Sequence, residues 1–362
     1  MRPASAPRPR PTPKGLRGVP ASMGEQFKWN PSAERMGDMM QKAVYMEDHV
    51  TFQHLLKANL EAVDESGATA LHIAATHGKT SALAWLLECG ADLRVADDQG
   101  YDALAWACCK GHQSTVVTLL QSRASPEGNG FSPSGKTPLA LTAERGHLDC
   151  MKELLRARAP LEQTNKDGVT ALMSAAHTAE TEVVASLLSM QAIVNVADQD
   201  GWTALSYAMN APLPPGAGEQ LEKKVHIDGV FSKVSMAELL LLHGAKVNTQ
   251  SVDGLSPLVV ACAQDRPLAV RKLLEHRAQV NLASARGQTA LLMAAANNLP
   301  EICRTLIVAK ADVNHQNEKK VCPLQLADKF AANGDREVVN LLTKAGATAP
   351  KGKKGKKKGK KK

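Results

Sequence analysis

Residues 67–99 read GATALHIAATHGKTSALAWLLECGADLRVADDQ, and at Gly100 the same pattern begins again. Alignment on the glycine that precedes a Thr/Asp/Ser-Ala/Pro-Leu triplet places starts at Gly67, Gly100, Gly135, Gly168, Gly201, Gly254 and Gly287. An eighth copy carries Lys320 in the glycine's place, followed by Val321-Cys322-Pro323-Leu324. The spacings are 33, 35, 33, 33, 53, 33 and 33 residues. A fixed period of this length is the signature of a solenoid, in which each copy is one supersecondary unit.

The first copy shows what the unit is. Gly67 supplies the backbone freedom of a tight turn. Thr69 is placed to cap a helix whose apolar side is Ala70, Leu71, Ile73, Ala74 and Ala75, and Gly78 ends it. Leu83, Leu86 and Leu87 recur at helical spacing on a second, antiparallel helix. Gly90 closes that helix, and residues 91–99 run out as a loop or hairpin to the next glycine. The leucine doublet recurs in every copy, as Leu119-Leu120, Leu154-Leu155, Leu187-Leu188, Leu239-Leu240, Leu273-Leu274, Leu306-Ile307 and Leu341-Leu342. One helix pair alone leaves this face bare, so the fold requires the repetition.

The Thr-Ala-Leu-His stretch 69–72, Lys136-Thr137-Pro138-Leu139, Gly146-His147, Gly244-Ala245-Lys246-Val247-Asn248 and Ala311-Asp312-Val313-Asn314 resemble the ankyrin repeat. The resemblance covers residues 34–347 in about nine copies. It implies an all-α solenoid of antiparallel helix pairs with protruding loops or hairpins. Departures are Lys320 for glycine, the lost Gly-His in the copies at 168, 201 and 254, and Pro300 inside the 287 copy.

Composition agrees. Aromatics are 3% of the chain while Ala and Leu dominate, which suits short helices packed through small side chains. No apolar run approaches the length of a membrane span. The seven cysteines form no C-x-x-C pair, and most sit where other copies carry Ala or Ser, so they read as small buried thiols of a reducing compartment. The net charge of +8 is uneven: residues 1–30 contribute +5 and residues 351–362 contribute +9, leaving about −6 for the body.

Three segments stand outside the regular template. Residues 1–33 are Pro/Arg-rich and read as a disordered tail; residues 348–362, ending KGKKGKKKGKKK, read as a second one. Residues 34–63 read as an irregular terminal copy, its methionine stripe Met36, Met39, Met40 a packing face. The 53-residue spacing holds an insert, roughly 211–235, opening with Pro-Leu-Pro-Pro-Gly-Ala-Gly. It is either a tolerated surface loop or a partner-contacting one.

One motif points to nucleotide chemistry. Residues 130–137, Gly-Phe-Ser-Pro-Ser-Gly-Lys-Thr, match the P-loop pattern. A working P-loop needs a preceding buried strand, which the polar stretch Ser122–Asn129 does not supply. Gly135, Lys136 and Thr137 are already the repeat's own turn and cap, so no nucleotide, other cofactor or metal is expected. Eleven histidines form no H-E-x-x-H or zinc spacing, and no nucleophile elbow is present. His72, His112 and His147 occupy positions where the resemblance implies a ring bonding backbone between neighbouring repeats. Asn195, Asn248, Asn281 and Asn314 hold the loop asparagine of the pattern, which is hydroxylated in some members and also satisfies loop backbone.

The resemblance further implies a non-catalytic, monomeric scaffold or adaptor, cytoplasmic or nuclear, that binds a protein through finger tips and the concave face. Carried across, that face includes Glu65, Gln99, Tyr101, Lys110, Glu144, Arg145, Asp167, His177, Asp200, Trp202 and Arg286. Tyr101 and Trp202 are either partner anchors or packing on a neighbouring finger. The lysines of the tail (Lys353, Lys354, Lys356, Lys357, Lys358, Lys360, Lys361, Lys362) leave open an inert polycation, a nuclear address, or an anchor to nucleic acid or ribosome. A membrane is disfavoured, because no apolar residue accompanies the charge.

Overall fold

A computed structural model describes residues 60–129, 135–212, 223–227, 230–331 and 335–348. The expected tails, most of the irregular first copy and the proline-rich start of the insert lie outside these residues.

Among the described residues, eight helix pairs follow one another. The inner helices are α1 (Ala70–Thr76), α3 (Ala103–Lys110), α5 (Pro138–Glu144), α7 (Ala171–His177), α9 (Ala204–Asn210), α11 (Pro257–Ala263), α13 (Ala290–Ala296) and α15 (Pro323–Ala331). The outer helices are α2 (Thr80–Glu88), α4 (Gln113–Gln121), α6 (Leu148–Arg156), α8 (Thr181–Ser189), α10 (Met236–Leu242), α12 (Pro267–Glu275), α14 (Pro300–Val308) and α16 (Glu337–Lys344). Each inner helix packs on the next, making a continuous row.

The doublet leucines explain the stacking. Leu86, Leu119, Leu154, Leu187, Leu240, Leu273 and Leu306 are fully buried, and Ala74, Ala107, Ala143, Ala175 and Ala261 fill the close approaches between inner helices. Burying each such leucine contributes about 1.5–3 kcal/mol, and only an adjacent copy provides the covering surface.

Helix starts follow the triplet. The side chains of Asp102, Thr137, Thr170, Ser256 and Thr289 each accept a hydrogen bond from the backbone N–H three residues on. Such a cap is worth about 0.5–2 kcal/mol. Pro300 is the first residue of α14, a position that needs no N–H donor, so this departure leaves the helix intact. Lys320 adopts φ 57°, so the left-handed turn survives without its glycine.

Polar side chains tie copy to copy on two edges. On the inner edge, His72 Nε2 bonds the Tyr101 carbonyl at 3.1 Å, His112 Nε2 the Thr76 carbonyl at 2.9 Å, and His147 Nε2 the Cys109 carbonyl at 3.2 Å. His72 Nδ1 accepts from Thr69, and burial holds its pKa below the usual histidine value, consistent with a neutral bridging ring. Where the Gly-His pair is lost in the 254 copy, Arg266 takes the role by donating to the Ala211 carbonyl.

On the loop edge the asparagines form a ladder. Asn195, Asn248, Asn281 and Asn314 accept from the N–H groups of Lys246, Gln279, Asp312 and Thr348 at 2.7 to 2.8 Å. Each also donates to a carbonyl of the next copy. Glu61 and Glu162 fill the same column by accepting from Asp92 and Ile193. The column holds Arg94 in the 67 copy, and a guanidinium has no acceptor to offer. A shallow groove between α2 and α4, lined by Leu87, Glu88, Leu93, Thr118 and Ser122, lies beside that gap.

Two segments of the insert are strands: Lys223–Ile227 (β1) and Val230–Val234 (β2) pair antiparallel, with His226 in register with Phe231, and β1 lies against α8. An Asp-Gly pair between two Val/Ile-bearing runs is a hairpin signal. This is the one sheet among the described residues.

Two stability measurements check these devices. A Cβ on Gly111, whose φ is +77°, would sit 2.5 Å from His147 Nδ1. Gly111→Ala is therefore expected to lower unfolding free energy by about 1–3 kcal/mol in chemical denaturation. Asp102 is buried where six other copies carry Thr or Ser and the 320 copy carries Cys322, and burial raises its pKa above the ordinary carboxylate value against the opposing backbone bonds. The folded state thus holds that proton more tightly, and its stabilising effect is lost as pH rises through the raised pKa. Asp102→Thr keeps the cap, so it should stabilise by up to about 1 kcal/mol at pH 7 and by less at pH 4.

Candidate protein-binding face

Among the described residues, the fingers are shaped by the residue three before the turn glycine. Asp64, Asp97, Asn165 and Asp198 each accept two N–H bonds from their own turn, at 2.7 to 3.0 Å. Ser251, Ser284 and Asn317 hold the following fingers with one side-chain bond each. Neighbouring fingers are also joined through backbone, as in Gln199 N–H to the Asp167 carbonyl and Val252 N–H to the Asp200 carbonyl.

In two copies the finger aspartate does more. The second oxygen of Asp97 accepts from Trp106 Nε1 at 2.7 Å, and that of Asp198 accepts from the Tyr207 hydroxyl at 2.7 Å. Each bond latches the finger to the inner helix behind it. Tyr101 then packs edge-on against Trp106, centroids 5.8 Å apart, with Lys110 Nζ 5.7 Å from the Trp106 centroid. Trp202 packs on Tyr207 at 5.8 Å, and His177 of the preceding copy meets the same ring edge-on at 5.8 Å. Burial, the bond to Asp198, and the charges of Asp198, Asp200 and Asp167 together push the Tyr207 hydroxyl far above its ordinary pKa.

Of the expected face residues, Tyr101, Lys110, Trp202 and His177 belong to these two clusters. Tyr101 and Trp202 are half-buried rather than fully exposed, and each ring meets an aromatic ring on its own copy's inner helix. Glu65, Gln99, Asp167, Asp200 and Arg286 are exposed on finger tips, and Lys110 and Arg145 are exposed at the ends of inner helices. His177 joins the second cluster; Glu144 is engaged at 2.6 Å by Lys136 from its own finger. Sequence reasoning missed Trp106 and Tyr207. Both sit six residues after the turn glycine, where the other copies carry Ile73, Leu141, Ser174, Val260, Met293 and Leu326. Comparing that column alone singles them out.

The apparent P-loop resolves the same way. Residues 130–134 lie outside the described ones, but Thr137 caps α5, Lys136 pairs with Glu144, and the preceding element is helix α4. The cysteines are free thiols, five of them buried; burial raises Cys150 to about 11 and Cys303 to about 12. No cluster of metal-ligating side chains occurs among the described residues, nor any helix long and apolar enough to cross a membrane.

The family described as Ankyrin repeats (3 copies) matches residues 40–129, 139–213 and 229–317, well over half of the chain. The chain belongs to the ankyrin-repeat family. Among curated relatives, tyrosine-protein kinase HTK16 of Hydra vulgaris is 38% identical over 117 residues, 32% of this chain and 15% of the kinase. E3 ubiquitin-protein ligase XBAT33 of Arabidopsis thaliana is 30% identical over 190 residues, 51% of this chain and 35% of the ligase. The B-cell lymphoma 3 protein homolog of Mus musculus is 28% identical over 233 residues, 61% of this chain and 47% of that protein. The chain spans less than half the length of each, so the likeness concerns the repeat array. Ankyrin repeats are generally protein-interaction modules, and the fold is typically non-catalytic.

Tyr207→Phe removes only the hydroxyl that latches the 201 finger. We expect a loss of about 1 kcal/mol and faster amide hydrogen exchange at Asp200 and Trp202, with other fingers unchanged.

Proposed function

We propose that this chain is a non-catalytic scaffold or adaptor, monomeric, that binds a partner protein through its finger tips and concave face. The observation that carries this reading is the pair of aromatic clusters, Tyr101–Trp106 and Trp202–Tyr207. Half-exposed Trp and Tyr rings backed by hydrogen bonds to finger aspartates are the kind of residue on which interface energy concentrates. Glu65, Gln99, Asp167 and Asp200 supply a polar rim on the fingers of these and the preceding copies, with Arg286 farther along and Lys110, Arg145 and His177 along the helices.

The lysine run 351–362 favours a second reading, in which the tail anchors the chain to nucleic acid or a ribosome while the array recruits a client. Nine lysines with no acid or aromatic favour phosphate contacts that weaken steeply with salt. A cytoplasmic or nuclear location goes with either reading.

Affinity capture separates them. Tyr101→Ala/Trp202→Ala is expected to lower partner recovery at least tenfold with helix content preserved by circular dichroism; unchanged recovery would overturn this placement of the site. Deletion of 351–362 is expected to leave that recovery intact, and loss of co-sedimentation with RNA-containing particles on deletion would favour the second reading.

A further inference from the structure

The two aromatic clusters share one template but differ in what meets the inner-helix ring: Lys110 at Trp106, and the edge-on His177 ring of the preceding copy at Tyr207. Both have a finger aspartate bonded to the ring on the inner helix, and both have an aromatic next to the turn glycine. In the 100 copy an ammonium is already seated there: Lys110 Nζ lies 5.7 Å from the Trp106 centroid. The corresponding residue of the 201 copy, ten after its glycine, is Ala211, which is buried. The Trp202–Tyr207 pair therefore presents the same cation-seating chemistry without the chain's own lysine at that position.

The surroundings of that second cluster favour a cation. Asp167 and Asp200 stand exposed on adjacent fingers, joined through the Gln199 N–H to Asp167 carbonyl bond, and Asp253 is exposed on the next finger. Lys166 is the cation beside them, its carbonyl engaged by Gln199. Farther along, the fingers present Arg286 and Lys319 beside Glu318, so the acidic surface does not extend to the C-terminal copies.

The matching polycation is in this chain. Thr348 is pinned by its N–H to Asn314 Oδ1 at 2.8 Å, on the loop edge that leads to the fingers. From there 14 residues remain, a reach of about 46–50 Å when extended. Trp202 is three copies back, roughly 30 Å at the usual helix packing distance. The final lysines reach it; Lys351 and Lys353 do not. Tethering supplies an effective concentration in the millimolar range, which suffices for contacts too weak to hold in trans.

We propose that the C-terminal segment 351–362 folds back along the concave face and seats lysines from Lys356 to Lys362 on the Trp202–Tyr207 cluster, between Asp167 and Asp200. This rests on the reading of that face as the binding surface, and it makes the tail a competitor that a partner must displace.

Zero-length carbodiimide coupling of the full-length protein, read by mass spectrometry on the monomer fraction, tests it. Amide links from Lys356–Lys362 to Asp167 or Asp200 are expected at 50 mM salt, falling at least fivefold at 500 mM. They should fall by a similar factor in Trp202→Ala, which leaves every tail lysine available for coupling. Links spread evenly over acids of the outer helices, such as Glu275 and Glu337, would overturn the proposal. Links confined to a dimer fraction would overturn it in favour of a second copy as occupant. Absence of links alongside retained, Trp202-dependent partner capture would overturn the tail's role alone and leave the binding face standing.

Discussion

Every copy in this array has an apolar side that only another copy covers. A helix pair of some thirty residues buries its doublet leucine by leaning on its neighbour, so the Leu86-to-Leu306 series is one continuous core divided among copies. The polar ties follow from the same dependence. Backbone carbonyls at the ends of short helices are met from other copies, by histidines and an arginine of the following copy and by asparagines of the preceding one. Registration of copies is thus set by hydrogen bonds and their cohesion by apolar burial.

The surface clusters exploit what the core leaves free. A finger needs an acceptor three residues before its glycine, and any of Asp, Asn or Ser serves. Only aspartate carries a second oxygen able to hold a ring donor on the inner helix. The two copies with Asp and a Trp or Tyr six residues past the glycine consequently hold their rings firmly. Residues that would be mobile on an ordinary surface are fixed before any partner arrives, which lowers the entropic cost of binding.

Much of the fold was legible because the period is legible: glycines, caps and leucine doublets recur, and the structure places helices on all eight copies. The hairpin was missed because the Pro-Leu-Pro-Pro-Gly-Ala-Gly opening dominated the reading of the insert, although Asp228-Gly229 sits between two β-prone runs. Trp106 and Tyr207 were missed for another reason. Apolar residues inside a helix stripe read as core, and nothing local to them reveals that the partner of each is an aspartate nine residues earlier. Pairings of that kind emerge only when columns of the repeat are compared across copies. The same comparison accounts for the Gly-Lys-Thr of the apparent P-loop.

The loop-edge ladder has one rung whose side chain offers no acceptor. At Arg94 the seam between the 67 and 100 copies is joined on its inner edge by His72 and His112, while the loop edge carries no equivalent of the Asn195 bridge, and a groove lies alongside. The next seam lacks the rung as well, because Pro160 stands where other copies offer the donating N–H. Register at the 67/100 seam therefore rests on apolar burial, the two histidines and the finger bond from Asp98 N–H to the Ser66 carbonyl, and a substitution that weakens any of these has fewer polar ties behind it than one beside Asn195.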